Sequence, residues 1–326
     1  MKLGIVGYGH TGRLLAAALH EVRQEIVQVG DLSADRLADA STSHPGATMG
    51  ADLEALTGDP STDAVVVATP LPLRFPLARA ALAAGKHVLV HGPLASCSEE
   101  ARELVELALR RERTLLVGHP RLHCRGAMRL RQLLGAPGAG ALRALVATRS
   151  RSLAPRRVPD LLFDVVSHDL ALFACLLGRE PEWVDASAGR SGTTGQVDAL
   201  ELRLGYSGAL PARVSVRPLG PGEPSGVEAL TEGRRLHLEN PSPVKNVLTC
   251  EQQLLPRAES AGVPQPSRSQ REVRFEDPVR ALCRHFVDCT ERRATPLIAP
   301  AAAVGLVRTL ELAALRLAAP PTGSAG

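Results

Sequence analysis

One stretch, MKLGIVGYGHTGRLLAAALHEVRQEIVQVGD from Met1 to Asp31, constrains the fold more than any other part of the chain. A short apolar run, Leu3 to Val6, ends in Gly7-Tyr8-Gly9-His10-Thr11-Gly12. An Ala/Leu-rich helical stretch follows, then a second apolar run, Ile26 to Val29, and then Asp31. The order is strand, glycine turn, helix, strand, acid. Gly7 lets the backbone leave the strand in a tight turn. Gly9 has no side chain, so a pyrophosphate can approach the main chain. Gly12 lets helix and strand pack closely. The helix N-terminus adds unpaired N–H groups and the positive end of the helix dipole. Asp31, about twenty residues on, sits where a carboxylate accepts hydrogen bonds from an adenosine ribose. The pattern predicts a dinucleotide site. Asp31 repels a 2′-phosphate, so NAD(H) is favoured over NADP(H), although Arg36 is close enough to blur that preference.

Length and composition narrow the setting. At 326 residues the chain can bury a large core and is expected to form two domains. Its formal net charge is +4, its arginines are scattered among acids and only 2% of its residues are aromatic, which argues against a nucleic-acid surface. No apolar run is long enough to span a membrane. Residues 1 to 20 already read as strand, turn and helix, so they are not expected to be a signal peptide. Six cysteines show no Cys-x-x-Cys pair and read as reduced thiols in the cytoplasm. Cys283 and Cys289 flank the apolar face of a helix and suit core packing.

The first part alternates strands (Leu3–Val6, Ile26–Val29, Ala64–Ala68, His87–Val90, Thr114–Val117) with helices (Gly12–Glu21, Ala34–Ala40, Leu53–Leu56, Arg74–Ala84, Ser98–Arg111). This rhythm specifies a doubly wound parallel α/β sheet over residues 1–120, with ligands at the carboxyl ends of its strands. Residues 121–319 read as an α+β domain with a mostly antiparallel open sheet. It opens with a helix near Gly126–Leu134 and a strand at Leu142–Arg149. A Pro/Arg-rich loop, Ala154 to Pro159, precedes an amphipathic helix, Leu161–Leu177, stopped by Gly178. Six strand-like segments run from Trp183 to Glu251. Gln252 to Gln270 reads as a mobile excursion, and Pro320 to Gly326 as a flexible tail. Of the closing helices, Pro278–Glu291 and Ala301–Ala318, the second has the spacing to pack back on the first domain.

Four motifs in this order carry a resemblance: Gly7–Gly12; Ala68-Thr69-Pro70; Ala84-Gly85-Lys86-His87-Val88-Leu89-Val90; and Asp164-Val165-Val166-Ser167-His168-Asp169. Together they resemble the glucose–fructose oxidoreductase/inositol dehydrogenase (Gfo/Idh/MocA) family over nearly the whole chain. The resemblance implies oxidation of a sugar or polyol carbinol, or the reverse reduction. It implies that Ala68, Thr69, Pro70, Leu71 and Pro93 join Gly7, Tyr8, Gly9, His10, Thr11, Gly12 and Asp31 around the cofactor. It implies His168 as acid/base, Asp164 as its orienting partner, and Asp169 near the substrate. Oligomers, a homodimer or homotetramer, are implied too.

The chain departs from the family where the chemistry should be. The family's Glu-Lys-Pro has become His91-Gly92-Pro93, so the usual lysine is absent. Leu71 and Arg74 stand where Asn and His are common. Two readings remain. In one, an active oxidoreductase has rebuilt its site, with His91 or His119 giving the lysine's electrostatic help and a pH sensitivity near neutrality. In the other, a cofactor-binding homologue has lost ordinary dehydrogenase activity. A turn needing positive φ would account for Gly92 structurally. No metal is expected: His119, His123 and Cys124 lie close, but Pro120 disfavours a helix starting before it. Arg74, Arg121, Arg149, Arg151, Arg156 and Arg157 lie near predicted loop or strand ends facing the crevice or the domain joint and suit a carboxylate or phosphate, although Arg156 and Arg157 read better as a solvated basic loop; the small-molecule substrate is expected to be anionic, with His119 and Arg121 contacting it. Strand Ala209–Arg217 has one apolar face, for helices or for a partner.

Overall fold

The computed structural model describes residues 1–151, 158–191, 196–218, 225–239, 246–252, 267–273 and 276–318. Arg156 and Arg157, most of the Gln252 to Gln270 stretch and the Pro320 to Gly326 tail lie outside the described residues. The chain divides into two compact units.

The first unit holds strands β1 (Lys2–Val6), β2 (Glu25–Gly30), β3 (Thr48–Gly50), β4 (Ala64–Val67), β5 (His87–His91) and β6 (Leu115–Gly118). Between them run helices α1 (His10–Glu21), α2 (Ala34–Ser43), α3 (Leu53–Gly58), α4 (Leu71–Ala83) and α5 (Ser98–Arg110). The sheet order is β3-β2-β1-β4-β5-β6 and every pairing is parallel. The sequence reading missed β3, a three-residue edge strand too short to show a period. Alternation along the strands builds two cores. Leu3, Ile5, Val66, Leu89 and Leu116 face one side, with Leu15 and Leu19 of α1. Val6, Val65, Val67, Val88 and Val90 face the other, with Leu77 and Ala81 of α4 and Leu104 of α5. Burial on both faces is why Ala64–Val67 reads as an unbroken apolar run.

In the second unit α6 (Arg125–Leu134) precedes β7 (Leu142–Arg151). A helical run follows as α7 (Val158–Leu161), a π-helical turn (Leu162–Val166) and α8 (Ser167–Leu177), stopped at Gly178 in the left-handed region (φ 64°). Then come β8 (Trp183–Ser191), β9 (Gln196–Tyr206), β10 (Leu210–Pro218), β11 (Gly226–Thr231), β12 (Arg234–Glu239), β13 (Asn246–Gln252) and β14 (Ser267–Val273). They form one sheet, β14-β13-β12-β11-β7-β10-β9-β8, antiparallel except where β7 meets β10. Strand β14 corrects the reading of Ser267–Gln270 as part of an excursion: its SRSQREV sequence is polar, and pairing with β13 makes it a strand. On β10, Ala212, Val214 and Val216 are buried in the single chain, while Arg213 and Arg217 are exposed. The apolar face is therefore already covered. The opposite face carries ion pairs such as Arg203–Asp185 (3.0 Å) and Arg235–Glu228 (2.6 Å).

The chain then forms α9 (Pro278–Thr290) and α10 (Pro300–Ala318). The sequence reading put residues 121–319 in the second domain. Instead, Asp277–Arg308 belongs to the first unit. The reason is packing: Leu282, Cys283, Phe286 and Cys289 of α9 lie in the core with Leu15 and Leu19, and Ala303 and Val307 of α10 join the other core. No helix among the described residues is long and apolar enough to cross a membrane.

Candidate active site

Because β1, β4, β5 and β6 are parallel, the residues that follow them share one edge of the first unit's sheet. Gly7 leaves β1 with φ +91°, and its N–H donates to the Gly30 carbonyl at 2.7 Å. A Cβ on Gly7 would lie 2.7 Å from Ala68 backbone atoms, and one on Gly12 would lie 1.9 Å from the Gly7 carbonyl oxygen. Both positions require glycine by contact. Gly9 differs: a Cβ there would meet only the Arg36 guanidinium, at 3.8 Å. The space over Gly9 is open, as a diphosphate needs. Helix α1 begins at His10 with no side chain capping it and no acid in its first turn, so the N–H groups of His10, Thr11 and Gly12 lie at an anion-favouring end. Tyr8 is buried, its hydroxyl 3.1 Å from His44 Nε2.

Asp31 is buried at the end of β2. Its Oδ2 accepts from the Tyr8 N–H (2.7 Å) and its Oδ1 from the Ser33 N–H (2.9 Å), with Arg36 Nη1 3.5 Å from Oδ2. Each carboxylate oxygen keeps a lone pair for a ribose hydroxyl. Beside Gly7, Thr69 Oγ1 is buried with no hydrogen-bond partner among the described residues, an orphaned polar atom at the same edge. The open glycine, the uncapped helix end and this orphan fit a nicotinamide dinucleotide. Gly7–Gly12, Asp31 and Thr69 would hold it. Ala68 and Leu71 are half-buried, Pro70 is exposed and Pro93 is buried beside them.

The neighbouring loops carry Arg74, His91 and Gly92, where the resemblance leads to an expectation of other residues. Arg74 of α4 is 5% exposed. Its Nε donates to the Thr69 carbonyl (3.0 Å), its Nη1 to the Pro93 carbonyl (3.1 Å), and its Nη2 lies 3.4 Å from His91 Nδ1. This guanidinium thus ties the β4 edge to the β5 edge. Its place on α4 explains the burial: with Leu77, Ala78 and Ala81 it falls on the helix's inward stripe. That spacing was the signal the sequence reading passed over.

Gly92 precedes Pro93 through a cis peptide bond, and its N–H donates to the Gly118 carbonyl (3.0 Å). Its backbone is not in the left-handed region, which corrects the expectation of a positive φ. The requirement is contact. A Cβ on Gly92 would lie 2.3 Å from His119 Cε1, 2.6 Å from Nε2 and 2.7 Å from Nδ1. The imidazole fills the volume that a side chain at position 92 would enter. His119 is only 1% exposed, which corrects its assignment as an open substrate contact. Burial, reinforced by Arg74, pushes His91 down to about 4. Burial, with His91, Arg74, His123 and Arg121 adding to it, pushes His119 down to about 3. Both rings are neutral at physiological pH, so neither is the partial cation the sequence suggested. A permanent charge between the β4 and β5 loops is on Arg74.

Arg121 is half-buried in a 3₁₀ turn, Pro120–His123. The His123 ring stacks at a tilt on His285 of α9, with centroids 5.1 Å apart. Among the described residues no group of three His, Cys, Asp or Glu side chains is arranged to hold a metal ion.

The second unit holds the other motif. Asp164 is exposed on the π-helical turn and His168 is partly buried on the first turn of α8. Asp169 is fully buried. Its carboxylate takes Arg149 Nε at 2.9 and 3.1 Å, and Nη2 as well. This corrects its assignment to substrate: both oxygens are engaged by a buried guanidinium. Arg149 shares the inward parity of Leu145 and Ala147 on β7, which again was legible as a period of two. Two of the arginines expected to meet an anionic substrate, Arg74 and Arg149, are thus committed to internal partners. Arg151 ends β7, and nothing is described of its side chain.

The doubly wound parallel sheet, the glycine cradle and the acid after β2 define a dinucleotide-binding Rossmann domain. Residues 1–119 match the family model described as oxidoreductase family, NAD-binding Rossmann fold. The chain carries the NAD-binding domain of the Gfo/Idh/MocA oxidoreductases. It is 33% identical over 182 residues, 56% of each chain, to UDP-N-acetylglucosamine 3-dehydrogenase of Acidithiobacillus ferrooxidans. It is 32% identical over 121 residues to the Bacillus subtilis scyllo-inositol 2-dehydrogenase (NADP(+)) IolW, 37% of this chain and 34% of that one. The chain spans about half or less of the length of these curated relatives. The solved structure of the Acidithiobacillus enzyme, GnnA, matches the fold with a TM-score of 0.83 over 97% of both chains, at 23% identity.

Proposed function

We propose that this protein is an NAD(P)-dependent oxidoreductase that acts on a carbinol of a sugar, a polyol or a related secondary-metabolite intermediate, with NAD(H) preferred to NADP(H). The observation that carries the reading is the open face of Gly9 beside the Asp31 carboxylate, 2.7 Å from the Tyr8 N–H. A second negative charge near Asp31 would be repelled, whereas a ribose hydroxyl can donate to it. When bound, a nicotinamide dinucleotide supplies hydride exchange. The chain supplies the rest. His168 takes the hydroxyl proton in oxidation and returns it in reduction. Asp164 sets its tautomer. Arg149 and Asp169 fix the first turn of α8 that carries His168. The glycine turn and the α1 N-terminus orient the diphosphate. The assembly is a homodimer or homotetramer, which light scattering would read.

The filled volume at Gly92 favours a second reading, a homologue that binds the cofactor without ordinary dehydrogenase activity. One experiment separates the two. NADH and NADPH are titrated by fluorescence, and turnover is then measured on a panel of neutral and acidic sugars and polyols. The first reading expects NADH to bind at least about tenfold more tightly, a difference of ~1.4 kcal/mol, and some member of the panel to turn over. Binding without turnover favours the second. A detected activity that survives His168→Ala overturns the proton-transfer assignment.

A further inference from the structure

We propose that Arg74 is the positioning residue of this sheet edge: it supplies the fixed positive charge there and sets His91 as a hydrogen-bond donor through Nε2. The proposal deepens the oxidoreductase reading and rests on it for its significance, but its geometry lies wholly in the first unit. Three observations carry it. First, Gly92 has no side chain and the His119 ring occupies the volume such a side chain needs, so position 92 cannot contribute a charge. Second, the Arg74 guanidinium is buried and held by two backbone carbonyls, Thr69 and Pro93. A group held by two fixed acceptors on two loops is preorganised, and arginine does not lose its proton in proteins. Third, Arg74 Nη2 lies 3.4 Å from His91 Nδ1.

A guanidinium can only donate, so at that contact Nδ1 of His91 must accept. The neutral ring then carries its proton on Nε2. The low value of about 4 for His91 agrees with a neutral ring beside a cation. Charged and titratable groups facing it among the described residues include Arg74 on α4 and His119 after β6. His119 in turn faces His123 and Arg121 of the 3₁₀ turn. A neutral imidazole that donates through Nε2 can polarise a carbonyl or steady an alkoxide oxygen, and it does not act as a base. In this chain the charge and the donor that one lysine would combine are divided between Arg74 and His91.

The test is a histidine ¹⁵N NMR titration of the full chain, with the His91 signals assigned by their loss in His91→Gln. The wild type is expected to show a protonated Nε2 and an unprotonated Nδ1 from pH 5 to 8. A proton on Nδ1 overturns the assignment whatever any variant does. In Arg74→Met, His91 is expected to titrate at a higher pH and to lose its single tautomer. A folded Arg74→Met with an unaltered His91 titration and tautomer also overturns the proposal. Should Arg74→Met fail to fold, the neutral Arg74→Gln carries the same comparison. None of these readouts needs turnover. Failure of the substrate panel therefore tests the oxidoreductase reading alone, and failure of the titration tests Arg74 alone.

Discussion

The family resemblance expects a lysine at position 92, and the structure predicts that placing one there fails by itself. The perturbation is Gly92→Ala, the smallest change that adds the atom in question. Its Cβ would stand 2.3, 2.6 and 2.7 Å from three atoms of the His119 ring. Comfortable carbon contacts lie near ~3.5–4.0 Å, so the ring must retreat by roughly 1 Å. It is enclosed, and overpacking of this kind costs ~1–3 kcal/mol. His119→Ala removes the obstacle at its own cavity cost. If the two positions share one volume, adding Gly92→Ala to His119→Ala costs almost nothing, and the double-mutant cycle shows a coupling of ~1–3 kcal/mol. The assay is urea unfolding of the four proteins without cofactor, with slopes checked for constancy. Gly92→Lys follows the same rule: it destabilises alone and is tolerated with His119→Ala. Penalties that add within ~0.5 kcal/mol would refute the shared volume.

Three further outcomes are expected. Gly12→Ala, whose Cβ would lie 1.9 Å from the Gly7 carbonyl oxygen, destabilises the protein without cofactor. Gly9→Ala, with its nearest neighbour at 3.8 Å, leaves the thermal midpoint unchanged and weakens NADH binding at least about tenfold; equal effects of the two on stability would contradict the cradle. Removing one partner of the buried Arg149–Asp169 pair, as in Asp169→Asn, costs ~3–5 kcal/mol by denaturant unfolding, whereas the double change Arg149→Met with Asp169→Leu recovers most of it; a loss in the double variant equal to the sum would refute the pairing. Finally, His91, His119 and His123 lie at about 4, 3 and 3 in the folded chain, below their ordinary 6.5. As pH falls below 6.5 the unfolded chain takes up these protons first, so the folded state loses up to ~1.4 kcal/mol per pH unit for each ring, until the folded values are reached. Stability that stays flat between pH 6.5 and 4.5 in unfolding curves would contradict this.

The sequence announced the parallel sheet because its strands carry their own signature. Ala64–Val67 is apolar throughout, and Gly7 and Gly12 suit a tight turn and a close helix. It announced Gly178 as a helix stop for the same local reason. It missed β3 and β14, since three residues show no period and SRSQREV shows no apolar face. It also placed α9 with the second domain, although Leu282 and Phe286 complete the core against α1. Around the candidate site, Arg74 and Arg149 were visible as charges but were read as open to ligand. Their inward parity, on α4 and on β7, was written in the spacing. Their partners, two carbonyls and Asp169, were not.

What the amino-acid order determined by itself is therefore whatever rests on neighbours within a turn or a strand: the glycine cradle, the uncapped start of α1, the carboxylate of Asp31, the absence of a side chain at Gly92. What only the tertiary structure decided is what fills the volume over Gly92. His119 lies 27 residues from Gly92 and Arg74 lies 18 residues before it (119 − 92 and 92 − 74). They meet at Gly92-Pro93 because parallel pairing of β4, β5 and β6 brings three distant loops to one edge. Steric exclusion and the charge of a buried guanidinium act across that edge through space, and no local pattern in the chain encodes them.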